Sequence, residues 1–303
     1  MSATPRPLPQ PLTPGSRIGV MAPAGPCDPR ALAAGVEALR AAGYEVICAP
    51  NVAARVGHLA GEDRERLAGI AGLLDRGVGC LIAARGGYGT MRLLPDLPWE
   101  RFASWQGWVV GFSDLTALHA ALSGRFPRAT LHGPMAASFG RDARGAEMVV
   151  AWLAGRAPRR LFELRRARAL RPGVARGVSV GGTLSILAAL AGTPFAPEYE
   201  DAVLFLEDVG EPLYRLDRLL TQLRLSSRLS RVKAVVVGDL ARCGRGETGW
   251  RERFRELLLD ALPADAVVVE GVPFGHGGRN VPFPLGVEVE VDTPRGEITW
   301  GGA

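Results

Sequence analysis

Four short apolar runs in the first 110 residues, at 18–22, 45–49, 78–83 and 108–110, alternate with stretches of helical spacing. Each run is too short for a buried helix and has the length of a strand. Between them, residues 31–41 suit a helix, and 63–74 carry Leu67, Ile70, Leu73 and Leu74 at helical intervals. Such alternation predicts a parallel sheet, because parallel strands need a crossover and a helix can supply one while burying its apolar stripe on the sheet. Ligands of such sheets gather beyond the carboxyl ends of the strands. The turns Pro23-Ala24-Gly25-Pro26, Arg85-Gly86-Gly87-Tyr88-Gly89 and Gly111-Phe112-Ser113-Asp114 all fall at that end.

The second half has a different rhythm. Gly181-Gly182-Thr183 opens a helix-compatible run through Leu190, and 203–206 reads as a strand delivering Glu207-Asp208-Val209-Gly210-Glu211 at its end. Helical spacing returns at Leu216, Leu219, Leu220 and Leu223; 234–237 is a strand ending at Gly238-Asp239, and 267–269 another, followed by a loop with His276. Val287, Val289 and Val291 alternate, turn through Thr293-Pro294-Arg295-Gly296 and return at Ile298 and Trp300, which is a hairpin pattern. The expectation is therefore an α/β protein. It has a parallel-sheet, Rossmann-like domain over 1–160, an arginine-rich linker over 161–176 broken by Pro172-Gly173, and a mixed α/β domain over 177–303.

Composition narrows the partners. The 36 basic residues include a single lysine, Lys233, so the net charge of +5 reflects an arginine bias more than a selected patch. The densest basic stretch, 156–176, has no groove-reading motif and reads as solvated surface; no nucleic-acid partner is expected. No apolar stretch approaches the roughly 20 residues that cross a bilayer, and the proline-rich start lacks a signal-peptide core. A cytoplasmic protein without membrane attachment is the expectation. Cys27, Cys48, Cys80 and Cys243 lack metal-ligand spacing and read as buried free thiols, with no metal expected.

Ser113 is the first candidate for chemistry. It stands where a buried strand stops and a helix begins, beside backbone N–H groups able to stabilise an oxyanion, although a serine there can equally serve as an N-cap. A serine hydroxyl needs a base. Of the four histidines, His119 falls in the following helix and reads as structural, while His58 and His132 sit at local turns. His276 differs, because Gly275, Gly277 and Gly278 leave one imidazole on a backbone that a ligand can approach. Glu207, at the end of an apolar strand, can orient that imidazole; its alternative is an ion pair with Arg215, for which Glu211 is an equal partner.

Together these residues carry a resemblance. The opening 18–26, Ala84 to Gly89, Gly111 to Asp114, His132-Gly133-Pro134-Met135, Gly181 to Ser185, Leu206 to Glu211 and Gly275-His276-Gly277 resemble, in order and spacing, the LD-carboxypeptidases of the S66 serine peptidases. The resemblance implies Ser113 as nucleophile, His276 as base, Glu207 rather than Glu211 as orienting acid, and the N–H groups of Gly87 and Asp114 as oxyanion hole. It implies no metal or cofactor, a cytoplasmic homodimer, and release of terminal D-alanine from murein tetrapeptides. The alternative within the resemblance is a microcin C immunity-type peptidase that cleaves aminoacyl or peptidyl nucleotides. A non-catalytic α/β binding protein is the reading outside it. Arg85 and Arg242 are candidates for a substrate carboxylate, and Trp250 for stacking on a flat group, against surface solvation and packing as the alternatives. Thr183 departs from the pattern, where asparagine is frequent.

Overall fold

All four early apolar runs form strands in the computed structural model, which describes residues 4–125 and 128–301; the outermost residues of the two expected domains, 1–3 and 302–303, lie outside the described residues. The strands of the first half are β1 (Arg17–Met21), β2 (Glu45–Cys48), β3 (Cys80–Ala83), β4 (Trp108–Gly111) and β5 (Thr130–His132). Then come β6 (Arg160–Glu163), β7 (Arg168–Arg171), β8 (Val174–Thr183), β9 (Ala202–Val209), β10 (Ala234–Ala241) and β11 (Val267–Glu270). The last are β12 (Phe283–Leu285), β13 (Glu288–Asp292) and β14 (Glu297–Trp300).

The first sheet runs β2-β1-β3-β4-β5 in parallel, and β12 adds antiparallel to β5. Strands β3 and β4 are buried along their whole length, which explains their unbroken apolar sequences. The order reverses between β1 and β3, and ligands of such sheets bind beyond the strand ends at a reversal of this kind. Helices Pro29–Ala41 and Asp63–Asp75 make the crossovers; the Asp28 carboxylate caps the first by accepting from Ala31 N at 2.8 Å.

The second sheet is mixed, in the order β6-β14-β13-β8-β9-β10-β11-β7. Its centre, β8-β9-β10-β11, is parallel, and the β13–β14 hairpin is antiparallel as its alternation required. Segment 161–176 differs from the linker expected there. It contributes to β6 and β7, at opposite edges of this sheet, and to the start of β8, so the chain spans the sheet's full width. Leu161, Phe162 and Leu164 are buried while the neighbouring arginines are exposed; the burial of these three side chains outweighs the arginine content. Three further boundaries shift because strand pairing extends past the apolar runs. Gly181 to Thr183 close β8, Glu207 and Asp208 lie inside β9, and β10 continues through a register shift between Val237 and Leu240. Among the cysteines, Cys27, Cys80 and Cys243 are buried free thiols, whereas Cys48 is half-buried. No described helix is long and apolar enough to cross a membrane.

Candidate active site

Ser113 follows β4 directly and has φ of 62°, a left-handed conformation that a non-glycine residue adopts at some cost. Its neighbours hold it there. Leu115 N donates to Phe112 O at 3.2 Å, and the buried Asp114 carboxylate accepts from Thr90 N at 2.8 Å. That second bond ties the serine turn to the glycine-rich turn after β3. On that turn, a Cβ added to Gly86 would stand 3.0 Å from Ser113 Cβ and 3.1 Å from Oγ, so only glycine leaves the hydroxyl uncrowded. Gly87, with φ of 119°, packs against Gly25 of the turn after β1, and Gly25 N donates to Gly86 O at 3.1 Å. The three turns expected to converge do meet, at the point where the strand order reverses.

Two buried side chains stabilise this convergence from behind. Arg66, fully buried, donates to Pro23 O and pairs with Asp63 at 2.5 Å, pinning the turn after β1. Sequence gave no sign of this, since Arg66 lies on a helix whose pattern is read from its leucines. His119, also buried, bonds Thr130 Oγ1 at 2.8 Å and donates from Nε2 to Gly111 O at 2.9 Å, fixing the end of β4 two residues before Ser113. Burial pushes its pKa down from 6.5 to about 4.

The unfolded chain binds a proton at His119 below its ordinary pKa, whereas the folded chain resists until about pH 4. Stability from this group is therefore present above pH 6.5 and is lost as the pH falls through the folded value. On this account unfolding free energy drops by about 2 kcal/mol between pH 7 and pH 5. Urea unfolding of His119→Gln at the two pH values is expected to show a smaller drop than the parent; an equal drop would remove His119 from the explanation.

The remaining groups come from the second sheet. Glu207 on β9 is in register with Thr183 at the end of β8, and the Thr183 hydroxyl donates to Glu207 Oε1 at 2.5 Å. Thr183 N in turn donates to Thr116 Oγ1 at 3.0 Å, on the helix that follows Ser113, so this contact joins the two domains. His276 sits on the loop after β11. Its Nδ1–H donates to Glu207 Oε2 at 2.6 Å, leaving Nε2 to accept from the Ser113 hydroxyl at 2.9 Å. Glu207 is 0% exposed; a buried carboxylate with two donors, one on each oxygen, has its desolvation offset.

The His276 loop is itself clamped. Asp239 N donates to Phe274 O at 2.9 Å, Gly275 N to Asn280 Oδ1 at 3.0 Å, and Val281 N to Pro273 O at 3.0 Å. A Cβ on Gly275 would stand 2.6 Å from Glu207 Oε2, and one on Gly277 2.0 Å from Asp239 Oδ2. Burial raises the Asp239 carboxyl above its ordinary range, opposed by a hydrogen bond from the Gly277 backbone. The Phe112 ring packs 4.9 Å from the imidazole, centroid to centroid. His132, fully buried among Phe112, Phe274 and Phe283, is held neutral, burial driving its pKa well below 6.5.

Ser113, His276 and Glu207 thus form one hydrogen-bonded chain, with Gly86 beside the hydroxyl. Arg85 lies at the mouth of the same turn, where it donates to Pro26 O at 3.1 Å. Glu211, the rival acid, pairs with Arg215 at 3.4 Å instead. Arg242 is exposed just past β10 with φ of 56°. Trp250 packs on Gly244, with the Arg251 guanidinium 4.7 Å above its ring, so its faces are engaged locally. The sequence reading missed Arg66, Asp114, Asp239 and Asn280 as supports, and took Thr183 only as a departure. Their signal lies in strand register and loop closure, which a linear pattern does not carry.

An arrangement of this kind can deprotonate a hydroxyl, hold the resulting imidazolium beside a carboxylate and stabilise an oxyanion. Comparison with known proteins agrees in both domains. The LD-carboxypeptidase N-terminal domain matches residues 18–133 and the LD-carboxypeptidase C-terminal domain residues 176–291. The chain is 42% identical over 297 residues to a Streptomyces coelicolor protein provisionally named a carboxypeptidase, covering 95% of this chain and 94% of the other. It is 32% identical over 294 residues to the murein tetrapeptide carboxypeptidase of Pseudomonas aeruginosa, covering 89% and 91%. Among solved structures, the muramoyltetrapeptide carboxypeptidase from Oxalobacter formigenes is 30% identical with a TM-score of 0.80, covering 93% of this chain and 98% of that one. The microcin immunity protein MccF, in complex with glutamyl sulfamoyl guanosine, is 22% identical with a TM-score of 0.85, covering 98% of each, and is alike in fold.

Proposed function

Since this chain belongs to the LD-carboxypeptidase (peptidase S66) family of serine-type hydrolases, we propose that it releases the terminal D-alanine of murein tetrapeptides through Ser113, His276 and Glu207. The observation that carries the proposal is the unbroken chain from Ser113 Oγ through His276 to Glu207, at 2.9 and 2.6 Å. His276 Nε2 takes the Ser113 proton as Oγ attacks the carbonyl carbon between the L-centre of the diamino acid and D-alanine. The N–H groups of Gly87 and Asp114 receive the oxyanion. His276 then passes the proton to the departing amine and the C–N bond breaks. Water, deprotonated by the same nitrogen, adds to the acyl carbon, and the proton returns to Ser113 as the ester opens. Arg85, beside Gly87, is our candidate for the substrate carboxylate; the proposal also takes the enzyme to be a cytoplasmic homodimer, on the family resemblance.

The backbone supports a second reading. It superposes more fully on MccF than on the Oxalobacter enzyme, with TM-scores of 0.85 and 0.80, so the scaffold also suits cleavage of aminoacyl or peptidyl nucleotides by the same three groups. Side-by-side assays decide between them. D-alanine release from murein tetrapeptide is expected to exceed hydrolysis of glutamyl sulfamoyl adenosine in kcat/KM; turnover of the nucleoside without D-alanine release would replace the first reading by the second.

A further inference from the structure

Three arginines of the dense basic stretch that in sequence read as solvated surface meet two distant ones in the fold. Arg160, Arg165 and Arg166 line a cleft of about 680 Å³ together with Arg144, in the first turn of the helix Ala143–Leu153, and Arg279, from the loop that carries His276. Three separate segments therefore bring five arginines to the lining of one concavity. The lining contains a single carboxylate, Glu163, which already pairs with Arg160 at 2.6 Å and Arg165 at 3.7 Å. Among the described residues, Arg144, Arg166 and Arg279 have no carboxylate partner. An arginine-rich composition explains how many arginines the surface carries, but not why they surround a cleft, where their mutual repulsion is strongest without a counter-charge.

We propose that this cleft binds a small polyanion bearing phosphate or several carboxylate groups. Its volume falls within the roughly 300–1,000 Å³ typical of small-molecule sites. The guanidinium fork matches the oxygen pairs of phosphate and carboxylate and keeps its charge at every physiological pH. Ser113 and His276 are not among the lining residues, so the ligand binds apart from the hydroxyl. It nevertheless meets the stem of the His276 loop, where Pro273 and Val281, both in the lining, are joined by the Val281 N to Pro273 O bond at 3.0 Å. The polyanion thus rests against the base of the loop whose tip faces the serine.

Calorimetric titration of the full chain with inorganic pyrophosphate, and separately with citrate, tests this site. Saturable binding is expected, weakened about tenfold or more in Arg166→Gln/Arg279→Gln and unchanged in Ser113→Ala. Tighter binding of pyrophosphate marks a phosphate ligand, and tighter binding of citrate a polycarboxylate. No saturable binding of either probe, or binding that the double substitution leaves intact, overturns the proposal. The readout is binding alone, so a failed hydrolase reading would leave this result standing.

Discussion

Ser113→Ala is expected to lower kcat by about 10⁴ to 10⁶-fold on whichever peptide the parent cleaves, with KM little changed, because the substitution removes the nucleophile and leaves the binding surface in place. His276→Ala is expected to cost a similar factor. The double variant should be no worse than either single one, since neither group works without the other. Stability should change little in Ser113→Ala: alanine meets the same left-handed backbone strain at φ of 62°, and Oγ is one end of a half-buried hydrogen bond. Steady-state kinetics and urea unfolding on the three variants check this pattern. Activity of Ser113→Ala within tenfold of the parent would rule out the serine as nucleophile.

The second large effect concerns Glu207, where two substitutions are expected to differ. Glu207→Ala leaves the His276 Nδ1–H without an acceptor and frees the ring, for a loss of about 10⁴-fold in kcat. Glu207→Gln should cost only about 10- to 100-fold, and the reason is Thr183. A hydroxyl can accept as well as donate. The glutamine NH₂ can therefore turn toward Thr183 Oγ1, which now receives a bond from the position that Oε1 occupies at 2.5 Å, while the amide oxygen keeps the His276 Nδ1–H. The correct tautomer survives, and only the charge that supports the imidazolium is lost. If glutamine proves as damaging as alanine, Thr183 acts as a fixed donor and the tautomer has been inverted. Adding Thr183→Val to Glu207→Gln should then restore part of the activity, because the amide oxygen is free to turn to the His276 Nδ1–H; under the exchange mechanism it lowers activity further.

Much of this molecule was written in local pattern. The runs at 18–22, 45–49, 78–83 and 108–110 are strands because their lengths suit only strands and their neighbours have helical spacing. The hairpin at the end is the same kind of inference from period-two alternation. Where the reading fell short, pairing between distant strands was responsible. Glu207 was expected past the end of its strand, because a carboxylate breaks an apolar run; it lies inside β9 because Thr183 and His276 satisfy it. The 161–176 segment looked like a linker because arginine dominates it, yet Leu161, Phe162 and Leu164 are buried and its backbone contributes to both edges of a sheet. Trp250 is seated on Gly244, a close approach that spacing alone does not reveal.

The chain's sequence determined by itself the α/β class, the convergence of three turns at one end of the first sheet, and the reactive residue types on glycine-bracketed turns. These follow from periodicity and from the steric freedom of glycine, both local properties. Periodicity left Glu207 and Glu211 open until the family resemblance favoured Glu207; tertiary structure alone decided that Thr183 holds that carboxylate's other oxygen and that five arginines line one cleft. Each of those outcomes depends on which strands lie side by side and in what register, and register is set by the burial of whole faces across the molecule rather than by any stretch of neighbouring residues.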